Sequence, residues 1–164
     1  MDLGAGLGQD SSFFARQGYK VLATDISQFA LDKIQGVNTQ YCDLSLPLPF
    51  SPNSFNIIYS HLGLHFFNTK RTRQLFSEIY TILSPGGIFA TLVNTIDDPE
   101  ASVSKKIGPD LYITPSGLQK RLFSPKSLAL FTKKFETLLL DNQGETYKDN
   151  IKILVRFVGR KPLT

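Results

Sequence analysis

Three glycines alternate with other residues in "DLGAGLG", Asp2 to Gly8, at the very front of the chain. Glycine reaches left-handed backbone angles at little cost and lets a main chain approach a ligand with no Cβ in the way. A short apolar stretch before the loop and a helix after it read as a strand, a sharp turn and a helix N-terminus whose amides face a ligand. The dinucleotide fingerprint G-x-G-x-x-G is not met, because Gln9 stands where its third glycine belongs. A tight turn made only for packing explains the same glycines, so the loop alone names no ligand. Only Met1, Asp2 and Leu3 precede it, which is short for the strand that normally carries such a loop.

Downstream, strand and helix patterns alternate. "QDSSFFARQG" reads as a short helix closed by Gly18, and "YKVLATD" as an apolar strand ending in Asp25. "SQFALDKI" starts at Ser27, a good helix cap, and "TQYCD" is a short strand ending in Asp43. Three prolines make "LSLPLPFSPN" a loop before the buried strand "SFNIIYS". In "TKRTRQLFSEIYTILS" the apolar residues Leu75, Phe76, Ile79, Ile82 and Leu83 fall at helical spacing, and Pro85–Gly87 ends that helix ahead of the strand "IFATLVN". Ser124 and Pro125 open one more helix. Then "ETLLLDNQGETY" and "NIKILVRFVGRK" follow with no helix between them, which predicts an antiparallel hairpin. The alternation predicts one α/β domain over residues 1–164, a Rossmann-like three-layer sandwich whose mostly parallel sheet ends in that hairpin. Residues 95–123 hold Pro99, Pro109 and Pro115 with little periodicity, and are expected to form a flap.

Composition narrows the function classes. No run is long and apolar enough for a membrane span, and the front of the chain lacks a signal-peptide pattern, so the cytoplasm is the expected location. A single cysteine, Cys42, precludes an internal disulfide or a cysteine-built metal site. His61 and His65 are four apart, but "HLGLHFF" is mostly apolar and has no Glu between them, so no metal is expected. The formal charge is +4 with the charges scattered, which argues against nucleic acid as partner.

Three strand ends converge on one sheet edge, where parallel sheets bind ligands: the glycine loop, Asp25 and Asp43. A carboxylate at the end of the second strand accepts both hydroxyls of a ribose, although a solvated strand end or helix cap explains Asp25 as well. Asp43 suits an adenine amino group, with Leu44 and Phe29 as apolar walls. In "DLGAGLG", "VLATDIS", "YCDLSLPLPF" with "NSFNIIYSHLGLHFF", and "ILSPGGIFATLV", the chain resembles the class I S-adenosylmethionine-dependent methyltransferases from Met1 to about Arg160. Within them it loosely resembles small-molecule enzymes of the tellurite-resistance type.

The resemblance implies S-adenosyl-L-methionine as cofactor. Gly4, Ala5, Gly6 and Gly8 would face its methionine part, Asp2 its ammonium, Asp25 and Ile26 the ribose, and Asp43, Leu44 and Phe29 the adenine. Ser60 and His61, just past the fourth strand, would border the methyl group and the acceptor. Departures from the family pattern are Pro52 and Asn56, where acidic residues usually stand, and the near absence of the first strand together with the helix before it.

A sulfonium carries its own activated methyl group, so transfer to a good nucleophile needs no base. His65 is the base candidate, against a plain packing role; Cys42 reads as core, and Lys70, Arg71 and Arg73 as a solvated helix face. The reading is methyl transfer to a small-molecule acceptor. The alternatives are a non-catalytic cofactor-binding module or subunit of a larger methyltransferase, and an RNA or protein methyltransferase. The shortened central strand leaves its neighbours with unpaired backbone, and two expectations follow: residues upstream of Met1, or closure by self-association.

Overall fold

The computed structural model describes residues 1–146 and 152–163. In chain order the elements are β1 (Asp2–Leu3), α1 (Gln9–Arg16), β2 (Leu22–Asp25), α2 (Gln28–Leu31), β3 (Asn38–Tyr41), β4 (Phe55–His61), α3 (Thr69–Ile82), β5 (Leu83–Asn94), α4 (Pro99–Val103), β6 (Lys105–Gly108), β7 (Leu111–Ile113), β8 (Gln119–Arg121), α5 (Pro125–Thr132), β9 (Glu136–Glu145) and β10 (Ile153–Arg160). Seven strands form one sheet in the order β3-β2-β1-β4-β5-β10-β9. The first five are parallel, and β10 runs antiparallel to both β5 and β9. The predicted hairpin is therefore present; its tip, residues 147–151, lies outside the described residues.

Helices cover both faces, as alternation across a strand demands. Tyr59 of β4 meets Phe14 of α1 with ring centroids 5.0 Å apart. The neighbouring Ile58 points the other way, into the core shared with Phe76 of α3. There Phe76, Phe89, Phe135 and Phe157 pack ring against ring at 5.5–5.9 Å, joining α3, β5, the turn between α5 and β9, and β10. The side chain of Asn68 caps α3, and reciprocal Ser124–Ser127 bonds cap α5.

Three local differences from the sequence reading have physical causes. The helix predicted over Ser27–Ile34 stops at Leu31, because Lys33 and Ile34 donate to carbonyls three residues back, and Gly36 then takes a positive φ of 70°. The "PGG" stop lies within β5: pairing with β4 jumps from Phe55↔Leu83 to Ile57↔Ile88, a bulge that accommodates Pro85–Gly87. Residues 95–123 are not irregular. They form α4 and a three-stranded antiparallel sheet, β6-β7-β8.

β1 is central yet only two residues long, pairing with β2 at Asp2↔Ala23 and with β4 at Asp2↔Tyr59. The Met1 ammonium donates to Ile57 O at 2.8 Å. Past it, a groove of about 480 Å³ runs between Val21 and Ile57.

Candidate cofactor site

The glycine loop is held by backbone on one side and by a carboxylate on the other. Gly4, Gly6 and Gly8 have φ of 75°, 53° and 75°, angles that suit glycine. Gly4 N and Ala5 N both donate to Thr24 O at 2.9 Å. Gly6 N donates to Asp25 Oδ2 at 2.9 Å, while Ser27 N donates to Asp25 Oδ1 at 2.8 Å. Asp25 thus ties the loop to the turn after β2. A Cβ on Gly4 would stand 3.0 Å from Gly63 Cα, so the loop is pressed against the segment after β4; a Cβ on Gly6 would meet nothing.

A cavity of about 460 Å³ opens at these strand ends, with Asp25 and Asp43 on its polar side and Ile26, Leu44, Leu62 and Phe66 on its apolar side. Asp43 Oδ1 accepts from Ser45 N at 2.8 Å, which shapes the turn carrying Leu44. Arg71 braces that turn from α3: its Nε donates to Leu44 O and one terminal nitrogen to Leu46 O, both at 2.7 Å, and its guanidinium makes two 2.8 Å bonds to Glu78. It is therefore part of the wall's support. Cys42 also reaches the cavity, and burial pushes its thiol up to about 11.

The other predicted residues divide. Asp2 is 2% exposed and accepts from Ser11 Oγ at 2.6 Å. Burial raises its pKa to about 6, against the pull of the Ser11 hydroxyl. Phe29 is 71% exposed beneath the Lys33 ammonium and does not line the cavity. The Ser60 hydroxyl donates to Leu3 O at 2.7 Å, knitting β4 to β1 from a fully buried position. His61 Nδ1 lies 3.0 Å from Asp10 Oδ2, and Tyr59 OH donates to the same oxygen at 3.2 Å. His65 is 2% exposed; burial, with Lys120 nearby, pushes its pKa down to about 3, so the ring is neutral and a weak base.

Leu62, Gly63, Phe66 and Phe67 line the cavity without having been singled out in the sequence. A signal existed at Gly63: a Cβ there would sit 2.8 Å from Leu3 O and from Ser60 Oγ, so only glycine fits. Leu62 has a φ of 60°, which sequence does not announce.

Residues 1–91 match the family described as methyltransferase domain. The chain belongs to the methyltransferase domain family. Over 93 residues, 55% of this chain and 44% of the relative, it is 32% identical to an uncharacterized methyltransferase of Synechocystis. The chain spans less than half the length of the curated relatives it matches. Two solved structures share the fold. An S-adenosylmethionine-dependent methyltransferase of Methanosarcina mazei superposes with a TM-score of 0.80 at 19% identity, over 99% of this chain and 92% of its own. The 1,6-didemethyltoxoflavin N1-methyltransferase of Burkholderia thailandensis, with its acceptor and S-adenosylhomocysteine bound, gives 0.70 at 21%, over 98% and 69%.

The cofactor of these methyltransferases is S-adenosyl-L-methionine, and the cavity suits it chemically. A carboxylate stands at the end of β2 for a diol, apolar side chains flank a slot for a purine, and Gly6 leaves open space where backbone would meet the amino-acid tail.

Proposed function

We propose that this chain binds S-adenosyl-L-methionine in the cavity at the ends of β1, β2 and β3 and directs its methyl group to a small-molecule acceptor. The observation that carries the reading is the junction of Gly6 N, Asp25 and the Gly4–Gly63 contact at the mouth of that cavity. When bound, the cofactor supplies an electrophilic methyl carbon on a sulfonium. Asp25 would accept from ribose hydroxyls, and Asp43 with Leu44 would border the adenine. Asp2, buried and held by the Ser11 hydroxyl, would offset the amino-acid ammonium.

The acceptor would enter from the far side, beyond β4 and β5. There the β6–β8 sheet docks through Arg121 N to His65 O at 2.6 Å and Phe123 N to Asn94 O at 2.7 Å. A roof built this closely onto the strand ends suits a small acceptor and limits water, as a displacement at carbon requires. That the toxoflavin enzyme of the same fold takes a small heterocycle supports this choice of acceptor class.

Calorimetry with S-adenosylhomocysteine, followed by a screen of small molecules with methyl-labelled cofactor, tests the proposal. Asp25→Ala should weaken binding about 5- to 150-fold, the roughly 1–3 kcal/mol of stripping partners from buried hydroxyls. Unchanged affinity in a folded variant removes Asp25 from the site. Binding without turnover of any acceptor would instead favour a cofactor-binding module.

A further inference from the structure

A groove of about 310 Å³ lies between α3 and α5 and shares no lining residue with the cofactor cavity. Its floor is aromatic: Phe76 and Phe135, 2% and 6% exposed, with the half-buried Phe131. Arg73 stands on its α3 side, and Lys133 and Lys134, just past the end of α5, on the other. Leu130, 68% exposed, projects beside them from α5. Among the described residues no aspartate or glutamate lines the groove.

The two sides of α3 are treated differently. Arg71, which braces the Leu44 turn, is neutralised by Glu78 at 2.8 Å. Arg73 is two residues further, about 200° around the helix axis, and falls on one stripe with Phe76, Ser77 and Tyr80. Among the described residues Arg73, Lys133 and Lys134 make no ion pair. Glu136, two residues past Lys134, faces Arg160 of β10 at 3.7 Å instead. Lys134 Nζ and Lys161 Nζ both stand over the Tyr80 ring, 5.5 and 4.9 Å from its centroid, and that ring packs on Phe135 at 5.2 Å. The groove thus combines a recessed apolar floor with cationic sides and no internal counter-charge.

We infer that the α3–α5 groove is a docking site for an acidic amphipathic helix of a protein partner, with aliphatic side chains seated over Phe76, Phe131 and Phe135 and carboxylates on Arg73, Lys133 and Lys134. Charge complementarity makes the occupant acidic. The recess makes it a helix, the element that lays an apolar stripe into a groove between two others. A flat anionic bilayer would rest on Leu130 and the lysines and leave the floor uncovered. A nucleic-acid base would find no free ring face to stack on, because Phe76 and Phe135 are already packed against Phe131, Phe89 and Tyr80.

The test uses the full chain and a fluorescein-labelled synthetic helix of about four turns, with Leu at i, i+3, i+4 and i+7 and Glu and Ala between. Anisotropy is read at an ionic strength of about 0.05 M, where exposed charges are weakly screened. Saturable one-to-one binding is expected. A permuted peptide of the same composition, its leucines spread around the helix, should bind about 5-fold more weakly or worse. Arg73→Glu, Lys133→Glu and Lys134→Glu should each weaken binding about 3- to 10-fold, an exposed pair turned from attraction to repulsion. Leu130→Ala should weaken it about 3-fold through lost apolar contact. Lys20→Glu makes the same change of charge beside the Val21–Ile57 groove and should leave affinity within about twofold. The substituted side chains are exposed, and circular dichroism melts check that each variant folds; the Gln variants at the three cationic positions serve where a Glu variant melts early. Equal binding of the permuted peptide, or an equal loss in Lys20→Glu, would reduce the effect to bulk attraction by a positively charged chain and overturn the inference. So would absence of saturable peptide binding. Binding of phosphatidylglycerol vesicles or oligouridylate that Lys133→Glu abolishes, with no peptide binding, would give the groove to a lipid surface or to RNA and overturn the helix as its occupant.

Discussion

The two ends of the site are built in different ways. At the cofactor end, backbone meets carboxylate: Gly6 N and Ser27 N on Asp25, Ser45 N on Asp43, and Gly4 against Gly63. At the roof, side chains far apart in sequence meet: Glu100 of α4 takes Lys120 of β8 at 3.0 Å and Lys152, just before β10, at 3.2 Å, and receives Asn94 Nδ2 at 3.3 Å. Geometry fixed by close backbone packing tolerates little change in shape, whereas geometry fixed by ion pairs tolerates little change in charge. The cofactor end should therefore break on a methyl group, and the roof on a charge.

The largest effect is expected at Gly63. Gly63→Ala forces a Cβ to within 2.8 Å of Leu3 O, so the loop must move. The cost should be about 1–3 kcal/mol of stability, the range for overpacking, with a still greater loss of S-adenosylhomocysteine affinity. In contrast, Gly6→Ala meets open space and strains only its positive φ, at about 1 kcal/mol. Equal losses in the two variants would show that the Gly4–Gly63 contact is not what holds the site.

Next comes acid stability, where Asp2 and His65 oppose each other. Asp2 has its pKa raised to about 6, so its contribution is present at low pH and is lost as pH rises through 6. His65 has its pKa lowered to about 3, so its contribution is present above its ordinary value near 6.5 and is lost as pH falls toward 3. Denaturant titrations at pH 7.5 and 4.5 should show that His65→Gln reduces the fall in stability between the two by about 2 kcal/mol. Asp2→Asn should steepen the fall. A His65→Gln curve parallel to the wild type would contradict the buried, neutral ring.

The smallest effect is set at Glu100, whose carboxylate is 21% exposed. Glu100→Gln should cost about 1 kcal/mol, as half-solvated pairs do. Amide exchange over β6–β8 should speed up while S-adenosylhomocysteine affinity stays within twofold. A large loss of affinity would couple the roof to the cofactor end and erase the distinction.

The same contrast explains what the sequence revealed. Glycine spacing, strand-end Asp25 and Asp43, and alternating periodicity are local, and they led to the fold class, the terminal hairpin and the family. Phe29 suits an apolar wall by residue type, and the structure places its ring in solvent on the short α2, which ends at Leu31. At Ser60, alternation along β4 turns the hydroxyl inward to Leu3 O, a pairing that residue type alone does not announce. Arg71 looked like a solvated charge, but its partners Leu44, Leu46 and Glu78 come together only in the fold. The β6–β8 sheet escaped notice because its strands are three or four residues long, too short for periodicity to register.

The central claim is that the cavity between Asp25, Asp43 and Gly63 holds the nucleoside of S-adenosylmethionine. A crystal structure with S-adenosylhomocysteine tests it most directly. The account predicts ribose hydroxyls on the Asp25 carboxylate and adenine beside Leu44, with the amino-acid tail along Gly4–Gly6. Ligand density in the groove between Val21 and Ile57, or a cavity still empty at saturating ligand, would contradict it.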